Sequence, residues 1–300
     1  MNSIESLEKD IALQLSFLKS FKPQKPLSQI SQKNTCFSGS GDSLVSSLLA
    51  ESFSGGIVRA IDPLDLYSNR KACQSKHVYF VSISGNTISN IKAAKTARKS
   101  TAITANPASR LVDASDKAIL LDFPSTGIFT AGSISFLASA LTCISLVRKI
   151  PPLDESVFQK AESDAKRTKL SKRVFILGNL FTYPIAMYCA AKFYEVLGYD
   201  AHYCRIEQFS HMELFSAKKG DTVIILEDKN RHNKQLVRHL KKIGMNVVHP
   251  DMPLKNLDQM IFGAIFSQMI VLHEAKKKKL KECHFVIAKN IRDVSNQMIY

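Results

Sequence analysis

Residues 81–98 read VSISGNTISNIKAAKTAR, and this stretch decides how the chain folds. It begins in an apolar run (78–83), passes through serine, glycine, asparagine and threonine, and continues into a helical pattern with lysines along it (88–99). Short apolar runs followed by helical segments are typical of parallel β-α units. Glycine and hydroxyl side chains at the end of such a strand indicate a loop whose backbone approaches an anion closely.

The same alternation of apolar runs and helical patterns occupies the rest of the chain, after an amphipathic helix over 4–21. Further strands are predicted at 35–37, 100–104, 118–121, 173–177, 201–204, 222–226 and 245–248. Further helices are predicted at 44–53, 129–147, 154–168, 184–197, 233–243 and 257–277. Strands that alternate with helices predict an α/β fold with mainly parallel sheets, which helices cover on both faces.

A repeat of this pattern divides the chain. Gly178 ends the first strand of the second half as Gly39 ends that of the first, and the pair Pro151-Pro152 lies between the two halves. We therefore expect an N-terminal helix and linker over 1–30, a first α/β domain over 31–150, and a second α/β domain with a C-terminal tail over 151–300.

Composition limits the class of partner. The 41 Lys and Arg against 26 Asp and Glu, a formal charge of +15, favour an anionic partner such as a phosphorylated metabolite, although a solvated basic surface explains the charge as well. No zinc finger, ribonucleoprotein motif or basic zipper accompanies the charge, so we expect no nucleic acid. No run is apolar for long enough to cross a bilayer and no signal-peptide pattern is present, so we expect no membrane partner and a cytoplasmic location.

The six cysteines are scattered without a CxxC pair, and several lie in apolar runs. This pattern predicts reduced, buried thiols rather than a disulfide framework or a zinc site. We expect neither a metal nor a cofactor.

Two loops at predicted strand ends carry glycine and hydroxyl groups. They are 39–43 (GSGDS) and 82–87 (SISGNT), and the residues expected to bind phosphate are Ser40, Gly41, Ser43, Ser82, Ser84, Asn86 and Thr87. Serines in such loops also cap helices without binding a ligand. Neither loop is a Walker A motif, and Leu44 stands where a dinucleotide-binding loop has its third glycine, so ATP and NAD are disfavoured.

These motifs resemble those of a known family. The pattern Ser82-x-Ser84-Gly85-x-Thr87 resembles the SxSGxT loop of the sugar isomerase (SIS) domain, and Gly39-x-Gly41-x-Ser43 resembles that domain's first loop. Residues 177–211, LGNLFTYPIAMYCAAKFYEVLGYDAHYCRIEQFSH, are similar to the isomerase half of glucosamine-6-phosphate synthase and to archaeal phosphoglucose/phosphomannose isomerases. The resemblance implies two SIS domains of flavodoxin-like three-layer α/β/α form, in a homodimer paired partly through the N-terminal helix.

The resemblance also implies catalytic roles for three side chains. Moving a carbonyl between C1 and C2 of a sugar phosphate requires a carboxylate that carries a proton between these carbons through a cis-enediol, and an acid/base group that opens the ring. Glu195 is expected to be the base and His211 the ring-opening group. Lys192 precedes Glu195 by one helical turn and is expected to hold its carboxylate ionised. Without the resemblance, these residues read as an exposed helix pair and a loop histidine.

Two further residues follow from departures from the family pattern. The loop 124–130 (PSTGIFT) is closer to the amino-sugar branch and makes Ser125 a candidate sugar contact, with helix capping as the alternative. In the tail, Asp293 stands where the synthase has a lysine, and Arg292 is a candidate replacement. Asn2 is not the cysteine of a glutaminase, so we expect no glutaminase activity.

The predicted function is therefore isomerisation of a hexose 6-phosphate of the fructose 6-phosphate or glucosamine 6-phosphate type, by an isomerase or a deaminase. The alternatives are a phosphoglucose/phosphomannose isomerase and a phosphosugar sensor without catalysis.

Overall fold

Two parallel sheets organise the chain, whose computed structural model describes residues 1–300. The strands are β1 Thr35–Gly39, β2 Arg59–Ile61, β3 His77–Val81, β4 Lys99–Thr104, β5 Lys117–Leu120, β6 Arg173–Leu177, β7 Asp200–Cys204, β8 Thr222–Ile225 and β9 Asn246–Val248. The helices are α1 Ser3–Ser20, α2 Gln29–Lys33, α3 Asp42–Phe53, α4 Pro63–Ser68, α5 Ile88–Ala94, α6 Arg110–Asp113, α7 Ile134–Val147, α8 Ser156–Lys166, α9 Thr182–Lys192, α10 Ile206–His211, α11 Arg231–Lys242, α12 Asn256–Lys277, α13 His284–Ile287 and α14 Lys289–Ile299. The predicted fold, mainly parallel sheets flanked by helices, is confirmed.

The chain forms two compact units, each built on one sheet. The first-sheet unit comprises Ser20–Pro124, Ile134–Pro152 and Asn290–Tyr300, and the second-sheet unit comprises the remaining residues up to Lys289. The sequence predicted continuous domains that meet at residues 30 and 150. Each of these units instead consists of three separate segments of the chain. The N-terminal helix α1, expected to stand apart with the linker, belongs to the second-sheet unit.

The first sheet has the strand order β2-β1-β3-β4-β5, with every pair parallel. Its register places Thr35 beside His77 and His77 beside Lys99, which starts each strand at the same edge. The core of this unit lies on both faces of the sheet, with Phe80 on one face and Phe37 on the other. The strand β2 was not predicted, because its three half-exposed residues carry no apolar run.

The second sheet has the order β7-β6-β8-β9 and is also parallel. Its first four strands along the chain follow the same order as β1 to β4 of the first sheet, so the repeat predicted from the sequence is present at the level of topology. Gly39 and Gly178 share one further feature. A Cβ on either glycine would overlap the backbone at the start of the next helix, at Ser43 or Thr182, so both strands turn tightly into their helices.

Helix bounds differ from the prediction where a neighbouring element competes for residues. The helix α5 ends at Ala94 because β4 already begins at Lys99. The helix α7 begins at Ile134 rather than 129, since the preceding loop is held against α1. There, the Thr126 amide donates to Asp10 Oδ1 at 2.8 Å and the hydroxyls of Ser6 and Thr126 lie 2.6 Å apart.

The core of the second-sheet unit centres on α12, which is buried along most of its 22 residues and packs on α8 and α9. It contains Phe262, Phe266 and Ile265, which are fully buried. Neither this helix nor any other in the chain combines the length and apolarity that a membrane span requires.

Candidate functional site

The two hydroxyl-rich loops lie at one edge of the first sheet. The strands β1 and β3 are neighbours in parallel register, with Gly39 opposite Val81, so both loops leave the sheet at its carboxyl edge. Ligands of α/β proteins bind at this edge, where loops and helix starts present backbone N–H groups. The structure therefore brings together the two loops that the sequence singled out separately.

The loop 82–87 is shaped by its own hydroxyl groups. Gly85 has φ +65°, and its amide donates to Ser82 Oγ at 3.1 Å, while the Ser82 and Thr87 hydroxyls lie 3.2 Å apart. Ser84 Oγ accepts from the Asn86 amide at 3.3 Å. Ser82 is buried beneath the loop, whereas Ser84, Asn86 and Thr87 are half-buried at its surface. Ser84, Asn86 and Thr87 can thus contact a ligand, whereas Ser82 mainly stabilises the conformation of the loop.

A second layer of polar side chains supports this loop, and the sequence analysis missed it. Thr104 Oγ1 donates to the Ile83 carbonyl at 3.0 Å, and Asn106 Nδ2 donates to the Ser84 carbonyl at 3.4 Å. The Leu111 amide donates to the Gly85 carbonyl at 2.9 Å. These groups follow the neighbouring strand β4, so only the strand order brings them to the loop.

The loop after β1 is more open. Gly41 has φ +57° and precedes α3, a helix of 12 residues whose start carries no side-chain cap. Ser40 and Gly41 are exposed, and Ser43 is buried on the first turn of the helix. A helix start without a side-chain cap carries a partial positive charge, which favours an anion. The Ser43 and Leu44 amides at this start donate to the Ser40 and Gly41 carbonyls.

The tight packing at Gly85 makes a testable prediction about the loop. A Cβ at Gly85 would overlap the buried Ser109 side chain, in addition to the cost of a positive φ for a residue with a side chain. We expect Gly85→Ala to lower the free energy of unfolding by about 2–4 kcal/mol, measured by urea denaturation. The control is Gly55→Ala, where φ is +68° but the space is open, with a loss of about 1–2 kcal/mol. Equal losses for both variants would contradict the close approach.

At the carboxyl edge of the second sheet, the corresponding position is filled by the protein itself. The carboxylate of Glu227, in the loop after β8, accepts from the Asn179 amide at 2.8 Å and from the Thr182 hydroxyl at the start of α9. Burial raises the pKa of Glu227, against the opposing effect of these hydrogen bonds from Thr182 and Asn179. The Glu227 carboxylate thus occupies the position at which an external anion would bind. Only the first sheet has open loops rich in hydroxyl groups at its carboxyl edge.

The second-sheet unit contains the predicted pair Lys192 and Glu195. Lys192 is fully buried at the end of α9, and Glu195 lies in the π-helical turn Phe193–Leu197 that continues the helix. Lys192 Nζ lies 2.5 Å from Glu195 Oε2, and about a third of the Glu195 side chain is exposed. π-helical turns are frequent at functional sites. The sequence predicted the spacing of the pair, while the burial of its lysine was not predicted.

A buried polar network surrounds this pair. Lys192 Nζ lies 4.8 Å from the centre of the Tyr188 ring, and the Tyr188 hydroxyl donates to the Gly132 carbonyl at 2.7 Å. Gln268 Nε2 donates to the Tyr188 hydroxyl at 2.9 Å, and Gln14 Nε2 donates to Gln268 Oε1 at 2.5 Å. A buried ammonium group is tolerated only when its neighbours are fixed and its partner is charged. The network therefore orients Lys192, and through it the Glu195 carboxylate.

Cys283 also lies beside Glu195 and was not singled out from the sequence. Its thiol is buried and lies 3.7 Å from Thr130 Oγ1. Its backbone amide donates to Ser3 Oγ at 2.8 Å. Burial raises the pKa of Cys283, and the Glu195 carboxylate contributes in the same direction. All six cysteines are buried, as predicted.

His211 lies at the other end of the strand from Glu195. Glu195 precedes β7, at the amino edge of the second sheet, whereas His211 ends α10, which follows β7 at the carboxyl edge. The five residues of β7 span about 13 Å. The His211 ring is exposed and its Nε2 lies 3.2 Å from Glu207 Oε1. One chain therefore does not bring the predicted base and the predicted ring-opening group together.

The two remaining predicted contacts lie outside these clusters. Ser125 is exposed in the loop before α7, and because that helix begins at Ile134, Ser125 does not cap it. Arg292 is half-buried on α14, in the first-sheet unit. Their contact with a sugar stays a prediction.

Solved structures share this fold across nearly the whole chain. Glucosamine-6-phosphate deaminase from Thermotoga maritima is 16% identical, with a TM-score of 0.71 over 93% of this chain and 95% of that chain. Tagatose-6-phosphate ketose/aldose isomerase from Escherichia coli is 17% identical, with a TM-score of 0.68 over 93% and 91%. The C-terminal domain of glucosamine-fructose-6-phosphate aminotransferase from Francisella tularensis is 14% identical, with a TM-score of 0.64 over 93% and 95%. At these identities the likeness is one of fold.

No protein-family model and no curated protein matches the sequence.

Proposed function

We propose that this chain is a sugar-phosphate aldose-ketose isomerase acting on a hexose 6-phosphate, of the fructose 6-phosphate or glucosamine 6-phosphate type. The observation that carries the proposal is the buried Lys192 that holds the partly exposed Glu195 at 2.5 Å. A carboxylate held ionised by a fixed ammonium group, with one side open, is suited to accept a proton from carbon. The fold shared with proteins named as phosphosugar isomerases and as a deaminase supports the same class of reaction.

The phosphate group is assigned to the first-sheet unit. Ser84, Asn86 and Thr87 present hydroxyl and amide groups next to the uncapped start of α3, where Gly41 leaves the backbone open. Such groups bind a phosphate without the cost of burying a lysine. Ser40 and Ser43 contribute from the loop after β1.

Proton transfer is assigned to Glu195. The carboxylate takes the proton from C2 of the open-chain aldose, and protonation of O1 gives the cis-enediol. The hydroxyl at C2 then gives up its proton as the carbonyl forms there, and the carboxylic acid returns its proton to C1. Lys192 stabilises the negative charge that develops on the substrate oxygen, as a fixed cation does best in a site of low dielectric constant. In the deaminase variant of this reaction, the same base acts on the amino sugar and ammonia leaves afterwards.

Ring opening is assigned to His211 of a second copy in a homodimer. Glu195 and His211 flank opposite ends of β7, so a shared site requires the histidine of another subunit. We assign the pairing surface to α14, because Ile291, Val294 and Met298 are 60–81% exposed on this amphipathic helix. By contrast, the apolar face of α1, expected from the sequence to pair the subunits, is buried within its own chain.

The experiment that tests the proposal is a panel of fructose, glucose, mannose and glucosamine 6-phosphates, each incubated with the protein in heavy water and followed by proton NMR. Deuterium at C1 or C2 of one sugar identifies the substrate, and ammonia release distinguishes a deaminase from an isomerase. Tight binding of a phosphosugar without exchange at either carbon would contradict the isomerase and leave a sensor.

The phosphate loop can be tested by Ser84→Ala. Loss of one hydrogen bond to a charged group costs about 1.5–3 kcal/mol, or about one to two orders of magnitude in the Kd of a hexose 6-phosphate. Calorimetric titration measures this change, and the unphosphorylated sugar is expected to bind equally to both proteins. The control variant is Ser68→Ala, an exposed serine at the end of α4. Equal losses for phosphorylated and unphosphorylated sugars would contradict the assignment.

A further inference from the structure

A cavity of about 920 Å³ lies at the amino edge of the first sheet, and the proposed function does not use it. It is lined by the starts of β1, β3, β4 and β5 together with the segment around α2. The loops proposed to bind phosphate leave the opposite edge of this sheet, about 13 Å away along the five residues of β3. The cavity is therefore separate from those loops and has the volume of a small-molecule site.

Strand register gathers positive charge on one wall of this cavity. Lys99 lies beside His77 in the register of β3 and β4, and Lys117 lies beside Thr101 in that of β4 and β5. Lys76 and Arg98, which immediately precede two of these strands, line the cavity as well. None of these four cations forms an ion pair. Four cations around one concave surface repel each other, and a bound anion would relieve that repulsion.

The acidic side chain in the lining, Asp116, does not neutralise this charge. Its carboxylate accepts from the Ser100 amide at 2.7 Å and from the Ser100 hydroxyl at 3.2 Å, which fixes it at the start of β4. These hydrogen bonds from Ser100, and more weakly His77 and Lys99, lower its pKa. One carboxylate against four cations leaves the cavity strongly positive.

The rest of the lining is apolar or neutral. Leu27, Ile30 and Ile119 face the cavity, and Ile30 is 76% exposed. The His77 ring is hydrogen-bonded to Thr101 Oγ1 at 2.8 Å through Nε2. Burial, and next Lys99, lower the pKa of His77, which disfavours a fifth positive charge in the cavity. An exposed basic face without a partner does not require these apolar side chains beside its cations.

We propose that this cavity binds a small organic phosphate with an apolar, ring-containing body, at a site distinct from the phosphate loops. The phosphate is held by Lys76, Arg98, Lys99 and Lys117, and the ring packs on Leu27, Ile30 and Ile119. The proposal is independent of the sugar-phosphate function, because no residue is shared between the two sets.

Calorimetric titration with adenosine 5′-monophosphate as the probe tests the site, with adenosine and inorganic phosphate as its two parts. We expect the monophosphate to bind at least about tenfold more tightly than either part. Only the whole molecule contacts both the cations and the apolar side chains of the cavity. Lys99→Gln with Lys117→Gln is expected to weaken binding of the monophosphate at least about tenfold. Ile30→Ser is expected to weaken the monophosphate and to leave inorganic phosphate unchanged.

Two control variants decide between this site and other anion binding. Lys92→Gln with Lys95→Gln removes two exposed lysines of the same unit outside the cavity and is expected to change nothing. Ser84→Ala, in the phosphate loop, is also expected to leave the monophosphate bound as before. An equal loss in the Lys92/Lys95 variant would show nonspecific attraction to the basic surface, and a loss in Ser84→Ala would show binding at the loops. Either result, or no binding of the monophosphate at millimolar concentration, would overturn the proposal.

Discussion

Glu195→Gln is expected to lower the rate of isomerisation about 10²–10⁴-fold, because the amide keeps the shape of the side chain but cannot accept the proton. The buried Lys192 then loses its carboxylate partner at 2.5 Å, while the Tyr188 ring, whose hydroxyl accepts from Gln268, still lies against it. The measurement is deuterium incorporation at C1 and C2 of the substrate under saturating conditions. Binding of the hexose 6-phosphate, assigned to the other unit, should survive.

The matched control for this variant is Glu162→Gln. Glu162 also pairs with a lysine of its own helix, Lys166 at 2.9 Å, and is about as exposed as Glu195, but its lysine is 60% exposed whereas Lys192 is buried. This change is expected to leave turnover unaltered, since an exposed pair of this kind contributes little. Unchanged exchange in Glu195→Gln would remove Glu195 as the base, whereas loss of both exchange and binding would indicate a structural role.

Mixing two inactive variants is expected to restore activity, because Glu195 and His211 lie at opposite ends of β7 and the proposed site joins Glu195 of one subunit to His211 of the other. Glu195→Gln and His211→Asn are each expected to be inactive on the cyclic sugar phosphate. In a hybrid dimer, one site loses both groups and the other retains both, so random association should recover about a quarter of the native activity. Differently tagged subunits, mixed after mild dissociation, permit purification of the hybrid alone.

The purified hybrid also defines the result that contradicts the cross-subunit site. If the hybrid dimer forms but stays inactive, the two residues do not act across the subunit interface. A monomeric mass in light scattering at working concentration would contradict the dimer itself. Replacement of Ile291 by Asp on α14 provides a separate check, since a charged residue on the proposed pairing surface should favour the monomer.

Much of the fold follows from local pattern. The strand β6 was predicted with its observed bounds, and α1 was predicted to within one residue, because its apolar spacing is regular over 18 residues. The strand β2, the short helices α2, α4, α6, α10 and α13, and the helix α14 were not predicted. The strand β2 has only three residues, which is too short for a pattern. The helix α14 has no buried residues, so its apolar face does not belong to a core.

The sequence by itself determined the properties that depend on neighbours along the chain. The hydroxyl loop after β3 and the pairing of Lys192 with Glu195 are of this kind, since a separation of three residues places two side chains on one face of a helix. Only the tertiary structure decided which groups from distant segments meet. It separated Glu195 from His211 by the length of β7, and filled the edge of the second sheet with Glu227. The physical reason is that strand order and register set these distances, and neither is encoded in local spacing.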